Sequence, residues 1–476
     1  MNKAKWIWRG LIGLALLFAI FFGVSRHVHM NRLAHDLRYG THNEKVKAAR
    51  ELMERDRLYD KMQEMPKSAR IKAMDAIEDI PGELAVKQCL ILLKDTEPKV
   101  RERVTKTLTV LGKHHIQPLV PAMKDSDENV RIGAKAALAG IGPRVIPYVQ
   151  PAVKQADLRA AACEVLVKLG EPSVPKLVEL LEHDDQDVRM AAADSLGRIA
   201  SKKATLALLK STRDIAAVRR VAISALCAIC DPRSTDLLVE VLSHTRDDGE
   251  VRARTARALS VIGGPKAIAT LTAALGDWDS KVRTSVVTGL QRMGPPAVKP
   301  VIAKMSSGSE VVRRTGAAVL SGIDSPECAP ELLRLIRDRD PAVRAAAAHG
   351  LGIQTAKVPA NVLIPLLSDV EGRAAETAAD SLVGMGGRAV PDLASVLRSS
   401  ADSPAKFRAA DALARIGKPA VPSLLSALGA GGDTTKWAAY ALGRIGDPRA
   451  RAALQKLRSA SDPDLARIVQ RALDQP

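Results

Sequence analysis

The chain has 476 residues, of which 46% are hydrophobic and 26% charged, a balance that excludes wholesale disorder. Aromatic residues make up only 3%, and Trp6, Trp8, Phe18, Phe21 and Phe22 sit close together near residue 1; a large β-sandwich or barrel is disfavoured, and a helical core of Ala, Leu, Val and Ile is expected. Lys and Arg outnumber Asp and Glu by 71 to 53, giving a net charge of +18 that suits an anionic partner without choosing one.

Residues 1–30 read as a membrane segment. Lys3, Lys5 and Arg9 precede the apolar run Gly10–Val24, and the stretch 6–24 is interrupted only by Arg9. Roughly 17–25 apolar residues span a bilayer. Arg9 lies near one end, where a long side chain snorkels, and Trp6 and Trp8 suit the interface. A cleaved signal peptide is the rival reading, but the following VSRHVHM offers a poor cleavage site. The expected location is a single-pass inner-membrane protein with its bulk exported to the periplasmic side. Secretion after cleavage and a cytoplasm-facing bulk are the alternatives, since Arg26, Arg32 and Arg38 also follow the segment.

Residues 31–80 read as degenerate repeats that cap a solenoid covering residues 81–476. A Leu or Ile recurs at Leu52, Ile77, Leu108, Leu138, Leu166, Leu196, Leu226, Leu259, Leu290, Leu320, Leu351, Leu382, Leu413, Leu442 and Leu473. After a first step of 25, the spacing stays between 28 and 33, which makes fifteen units. In most units an Arg stands seven residues before this position. Each unit predicts two helices. In one of them Asp340 is a helix cap, Pro341 fills the first turn, and Val343, Ala347 and Leu351 follow at helical spacing. Gly112, Gly142, Gly170, Gly263, Gly294, Gly386, Gly417 and Gly446 fall four residues past the key Leu, where a helix ends in the left-handed conformation. A helix pair this short cannot bury its apolar face alone, so it must stack on its neighbours.

The pattern resembles the HEAT-repeat family, in the short form of about 30 residues found in bilin-lyase-type HEAT-like proteins. The residues that carry the likeness are Asp127 with Arg131, Asp185 with Arg189, Asp248 with Arg252, Asp279 with Arg283, and Asp340 with Arg344. The resemblance implies that these residues form a ladder linking consecutive repeats. Lys45, Ala375, Lys406, Thr435 and Ala466 replace the Arg in five units, where stacking must rely more on apolar contact.

Little in the chain points to chemistry. Cys227 and Cys230 form a CxxC pair, but they fall at repeat positions held by Gly197 and Gly263 in other units, and small buried fillers are expected there. His27, His29, His35 and His42 cluster without the spacing of converging ligands. Deoxyhypusine hydroxylase, a HEAT-like enzyme, uses His-Glu dipeptides as iron ligands, and this chain has none. No catalytic residue, metal or cofactor is expected.

The Arg-bearing helix is implied by the resemblance to line a concave face. Positions two, five and nine past the Arg form one stripe carrying fourteen basic and seven acidic residues. Arg103, Lys106, Arg254, Arg257, Arg408, Arg415 and Arg444 are its basic candidates for partner binding. Trp437 and Tyr440, neighbours on one helix face, are the aromatic candidates. The fold expected is therefore all-α: a solenoid of about fifteen helix pairs preceded by one transmembrane helix. Its expected role is a non-enzymatic scaffold holding an acidic or extended protein segment, with the membrane as a second partner through residues 6–24. A bilin-lyase-like enzyme or enzyme subunit is the first alternative. Nucleic-acid binding in a basic groove is the second, disfavoured by export and by the scarcity of aromatics for base stacking; small molecules are not expected partners.

Overall fold

The computed structural model describes residues 2–244, 248–306, 308–354, 358–458 and 462–474, with side chains from residue 21 onward. Among the described residues every regular element is helical. The chain divides into two compact units, Met1–Ile229 and Cys230–Pro476.

In the first unit, helix α1 (Asn2–Tyr39) is continuous for 38 residues. Its Met30, Leu33 and Leu37 are buried, and it packs on α2 (His42–Glu54). A short α3 (Leu58–Gln63) follows, with Leu58 and Met62 buried. Among the described residues no helix is long and apolar enough to cross a membrane. Most of the apolar run assigned to the membrane lies in residues 1–20, whose side chains are outside the described residues.

From α2 onward the same construction repeats. All fifteen key Leu and Ile positions fall within helices. Fourteen of them are fully or almost fully buried, and Leu473 is half-buried. Many of these helices are 14 residues long, such as Glu128–Ile141 and Gln186–Ile199. Within each unit they pack on one another as one layer. The alternate helices are short, as in Val174–Leu180 and Val421–Ala427, and a 3-10 turn containing Pro often introduces them.

Small residues set the spacing of the long-helix layer. A methyl group on Gly197 would stand 2.8 Å from the Ala225 Cα, and one on Gly443 would stand 2.4 Å from the Ala472 Cβ. The helices therefore meet almost backbone to backbone. Seven of the eight glycines expected to end helices have positive φ, between 61° and 89°. Gly112 is the exception: at φ −64° it stays right-handed, and the chain turns through Lys113 and His114 instead. Ala200 and Cys230 occupy the same repeat position with φ of 57° and 51°, so a side chain is held there in a conformation that favours glycine.

Candidate functional site

The polar residues of the repeats divide into an internal framework and a solvent-facing surface. The framework begins at the helix caps. Asp127, Asp185, Asp248, Asp279 and Asp340 each accept a hydrogen bond from a backbone N–H in the first turn of their own helix. The Arg four residues later does not pair with that carboxylate. In Arg189 and Arg344 the guanidinium reaches back to the turn before the helix and forward to the next repeat. Arg189 donates to the carbonyls of His183 and Asp184 at 2.8 and 2.7 Å, and to the two carboxylate oxygens of Asp214 at 2.7 and 3.0 Å. Arg344 does the same with the Asp338 and Arg339 carbonyls and with Asp369. Arg70 with Asp95, Arg252 with Asp277, and Arg313 with Asp338 repeat the 25-residue offset. Among the described residues Arg131 and Arg283 hold only the carbonyls of their own turns, at Asp125 and Ser126 and at Asp277 and Trp278. Two motif Asp residues also link repeats: Asp185 and Asp340 cap their own helices through one carboxylate oxygen and accept Arg159 and Arg314 of the preceding repeat through the other, each at 2.9 Å. The rungs of Arg189 and Arg344 run instead to an Asp of the following turn.

Two of these rungs lower the pKa of their carboxylates. The Arg189 guanidinium keeps the Asp214 carboxyl below the usual range, and Arg344 does so for Asp369, in both cases against the opposing effect of burial. The Arg252 guanidinium is fully buried and lies 4.8 Å from the centre of the Trp278 ring, whose outer face is exposed.

The surface stripe is less free than its sequence suggests. Arg103 meets Asp75 and Glu78 at 2.7 and 2.9 Å, and Lys106 meets Glu102 at 2.8 Å. Arg254 and Arg257 share Glu250 at 3.1 and 3.7 Å. Arg408 donates to the Leu367 carbonyl at 2.6 Å. Arg415 meets Asp380 at 2.7 Å, and Arg444 meets Asp411. Each basic candidate is already engaged by an oxygen of the chain.

Trp437 and Tyr440 are brought together with a third ring, Phe407. Phe407 lies on Ser403–Ile416, and the other two lie on Gly432–Ile445. The three ring centres are 5.6 to 6.0 Å apart, in tilted and edge-to-face arrangements that suit aromatic quadrupoles. Phe407 is exposed, while Trp437 and Tyr440 are half-buried. Arg444 donates to the Tyr440 hydroxyl at 3.1 Å, and its guanidinium carbon lies 5.8 Å from the Tyr440 ring centre. The Tyr440 bond and then the Asp411 carboxylate raise the Arg444 pKa further. Tyr440, Arg444 and Arg471 also line a cleft of about 270 Å³ beside Pro463–Asp474. Phe407 escaped the sequence reading because it falls one residue past the Arg position, off the stripe. Its signal was an aromatic ring at a site where the other repeats carry none.

The cysteines fit packing roles. Burial pushes the Cys89 thiol up to about 12 and the Cys328 thiol up to about 11, so neither is a ready nucleophile. Cys227 is buried, and Cys230 closes its helix. The four clustered histidines turn to separate partners: His29 to Glu51, His42 to Asp79, His27 to Asn31, and His35 to Asp36.

Stacked helix pairs with a capped and rung-linked interior define an α-solenoid whose distinctive exposed chemistry is aromatic and cationic. A family model described as HEAT repeats matches residues 154–216, 213–291, 295–383 and 390–474, and the chain belongs to that family. Among solved structures it is similar to the karyopherin Kap121p bound to the extreme C-terminus of the protein phosphatase Cdc14p, with a TM-score of 0.50 and 12% identity over 94% of this chain and 56% of that one. The Kap95:Nup1 complex is a weaker likeness, with a TM-score of 0.47 and 13% identity over 93% of this chain and 66% of that one. The chain spans just over half the length of Kap121p, and the likeness is one of fold alone. No curated protein matches the sequence.

Proposed function

We propose that this chain is a non-enzymatic scaffold that holds an extended protein segment against the Phe407–Trp437–Tyr440 cluster. The single observation that carries the reading is that cluster: three adjoining rings, partly exposed, in a chain with few aromatics. Exposed Trp and Tyr are the residue types that dominate binding energy in interfaces, at about 2 kcal/mol or more each. The surrounding Arg408, Arg415, Arg444 and Arg471 outnumber Asp380 and Asp411, which favours an acidic segment. That charge acts mainly on encounter. An incoming carboxylate must displace Asp380 or Asp411, and exposed ion pairs are worth only about 0–1 kcal/mol. The rings therefore supply most of the affinity. Capture of a terminal segment is described for the neighbouring Kap121p structure with the Cdc14p C-terminus, and the same mode is proposed here.

The apolar run 6–24 supports anchoring of this scaffold in the inner membrane, with the repeats on the periplasmic side. Flotation with phosphatidylcholine vesicles tests the anchor, and protease protection in spheroplasts tests the side. A photo-crosslinker at position 440 tests the scaffold. One protein adduct, much reduced by Trp437→Ala in a chain of unchanged helicity, is the expected result. Adducts confined to the chain itself, or an adduct indifferent to Trp437→Ala, would refute this surface.

A further inference from the structure

Helix α1 carries a second site at the point where the apolar run ends. Phe21, Phe22 and Val24 are 72%, 63% and 59% exposed, although they are large and apolar. At a rise of about 1.5 Å per residue, Arg26 stands only about 3 Å along the axis beyond Val24. If residues 6–24 occupy the hydrocarbon, Arg26 and His27 lie at the depth of the lipid headgroups. The fold brings α3 to the same level. Lys61 of α3 donates to the Asn31 Oδ1 of α1 at 3.3 Å, and Leu58 and Met62 are buried beneath it.

Between the two helices lies a cleft of about 360 Å³. Gly23 and Met30 form its apolar part, and Arg26 and His27 enter from α1. From the α3 side come Arg57 and Lys61, with Asp60 and Glu64 beside them. Arg57 meets Asp60 at 3.1 Å, and Lys61 meets Glu64 at 2.9 Å. Arg26 has no ion-pair partner among the described residues, and His27 contacts Asn31. The cleft thus presents three fixed cations and two carboxylates within one space.

We propose that this cleft binds the headgroup of a membrane phospholipid that carries both a phosphate and a primary amine. The phosphate takes the donors of Arg26 and Arg57, and the ammonium donates to Asp60 and Glu64, both as charge-assisted bonds. A headgroup with a phosphate and no amine leaves the two carboxylates facing its negative charge. A trimethylammonium headgroup has no N–H to donate. The mixed sign of the lining therefore selects phosphatidylethanolamine over phosphatidylglycerol and phosphatidylcholine. The proposal rests on the membrane reading of residues 6–24.

The test uses the full chain in nanodiscs containing equal parts of the three lipids. Lipids retained after detergent extraction are counted by native mass spectrometry. The expected result is a several-fold enrichment of phosphatidylethanolamine over both others, lost in Arg26→Glu and in the double variant Asp60→Asn, Glu64→Gln. Equal retention of the three lipids overturns the proposal, as does enrichment of phosphatidylglycerol or an enrichment that both variants leave intact. Failure of the underlying reading is seen separately: a chain that does not float with phosphatidylcholine vesicles has no membrane span, and the proposal falls with it.

Discussion

Arg344 and Asp369 are 25 residues apart and joined by two hydrogen bonds of 2.6 and 2.8 Å. The Asp369 side chain is 7% exposed and that of Arg344 is 14% exposed, so the pair is largely withdrawn from water. It fastens the turn before one long helix to the turn before the next. Arg344→Met removes this rung and leaves a buried carboxylate. The expected loss is about 2–3 kcal/mol, at the upper end for hydrogen bonds to charged groups. A lower urea midpoint in the variant checks it, and an unchanged midpoint would mean that apolar stacking alone sets the register.

The rungs also predict a pH response. Asp214 and Asp369 have pKa values below the ordinary carboxyl value of about 3.9 because of their Arg partners. A depressed folded-state pKa contributes stability that is fully present above the unfolded value. That contribution disappears as pH falls through the folded value. Thermal midpoints should therefore hold steady down to about pH 5 and fall below about pH 4. With Arg189 and Arg344 both replaced by Met, the fall should be shallower; an identical acid limb in the variant would count against the rungs as its source.

Gly197 tests the close approach of the long helices. A Cβ there would lie 2.8 Å from a backbone atom, the Ala225 Cα, which cannot swing aside. Gly197→Ala should destabilise by about 1–3 kcal/mol despite the better helix propensity of Ala. Calorimetry on the variant reads the sign directly, since a gain in stability would show that the helices part at little cost.

Ala200 makes the opposite prediction. It ends its helix at φ 57°, a conformation that costs a non-glycine residue roughly 1–2 kcal/mol. Glycine removes that cost but gives back part of the gain through a freer unfolded chain. Ala200→Gly should stabilise by about 0.5 kcal/mol, a small upward shift in the denaturation midpoint.

The periodic part of this structure was legible because it is local. The fifteen Leu and Ile positions, the Asp caps and seven of the eight glycine helix ends each depend on a few neighbouring residues. The rungs were only half legible. Arg344 stands out in sequence, but its partner is fixed by how one turn stacks on the next, and the nearer Asp340 is occupied as a cap. The stripe was misleading for a similar reason. Arg415 and Arg444 look like free cations until stacking brings Asp380 and Asp411 beside them. Phe407 stood out only as a lone ring off the stripe, because contact between adjacent helices, not position along one helix, places it beside Trp437 and Tyr440.

Where the Arg position is held by Ala375, Lys406, Thr435 and Ala466, rungs of the Arg344–Asp369 kind are missing, and the aromatic cluster lies within this stretch. Lesser bonds stand in, among them Thr434 to the Leu397 carbonyl and Lys436 to Asp462. In a linear array each repeat is held by its neighbours only, so local opening costs least where those links are weakest. The surface proposed to grip a partner should therefore also be the part of its unit that opens most readily. Amides between residues 403 and 445 should exchange earlier than those between 280 and 351. An occupant bridging Phe407 and Tyr440 would replace the absent rungs from outside, slowing exchange across helices it never touches.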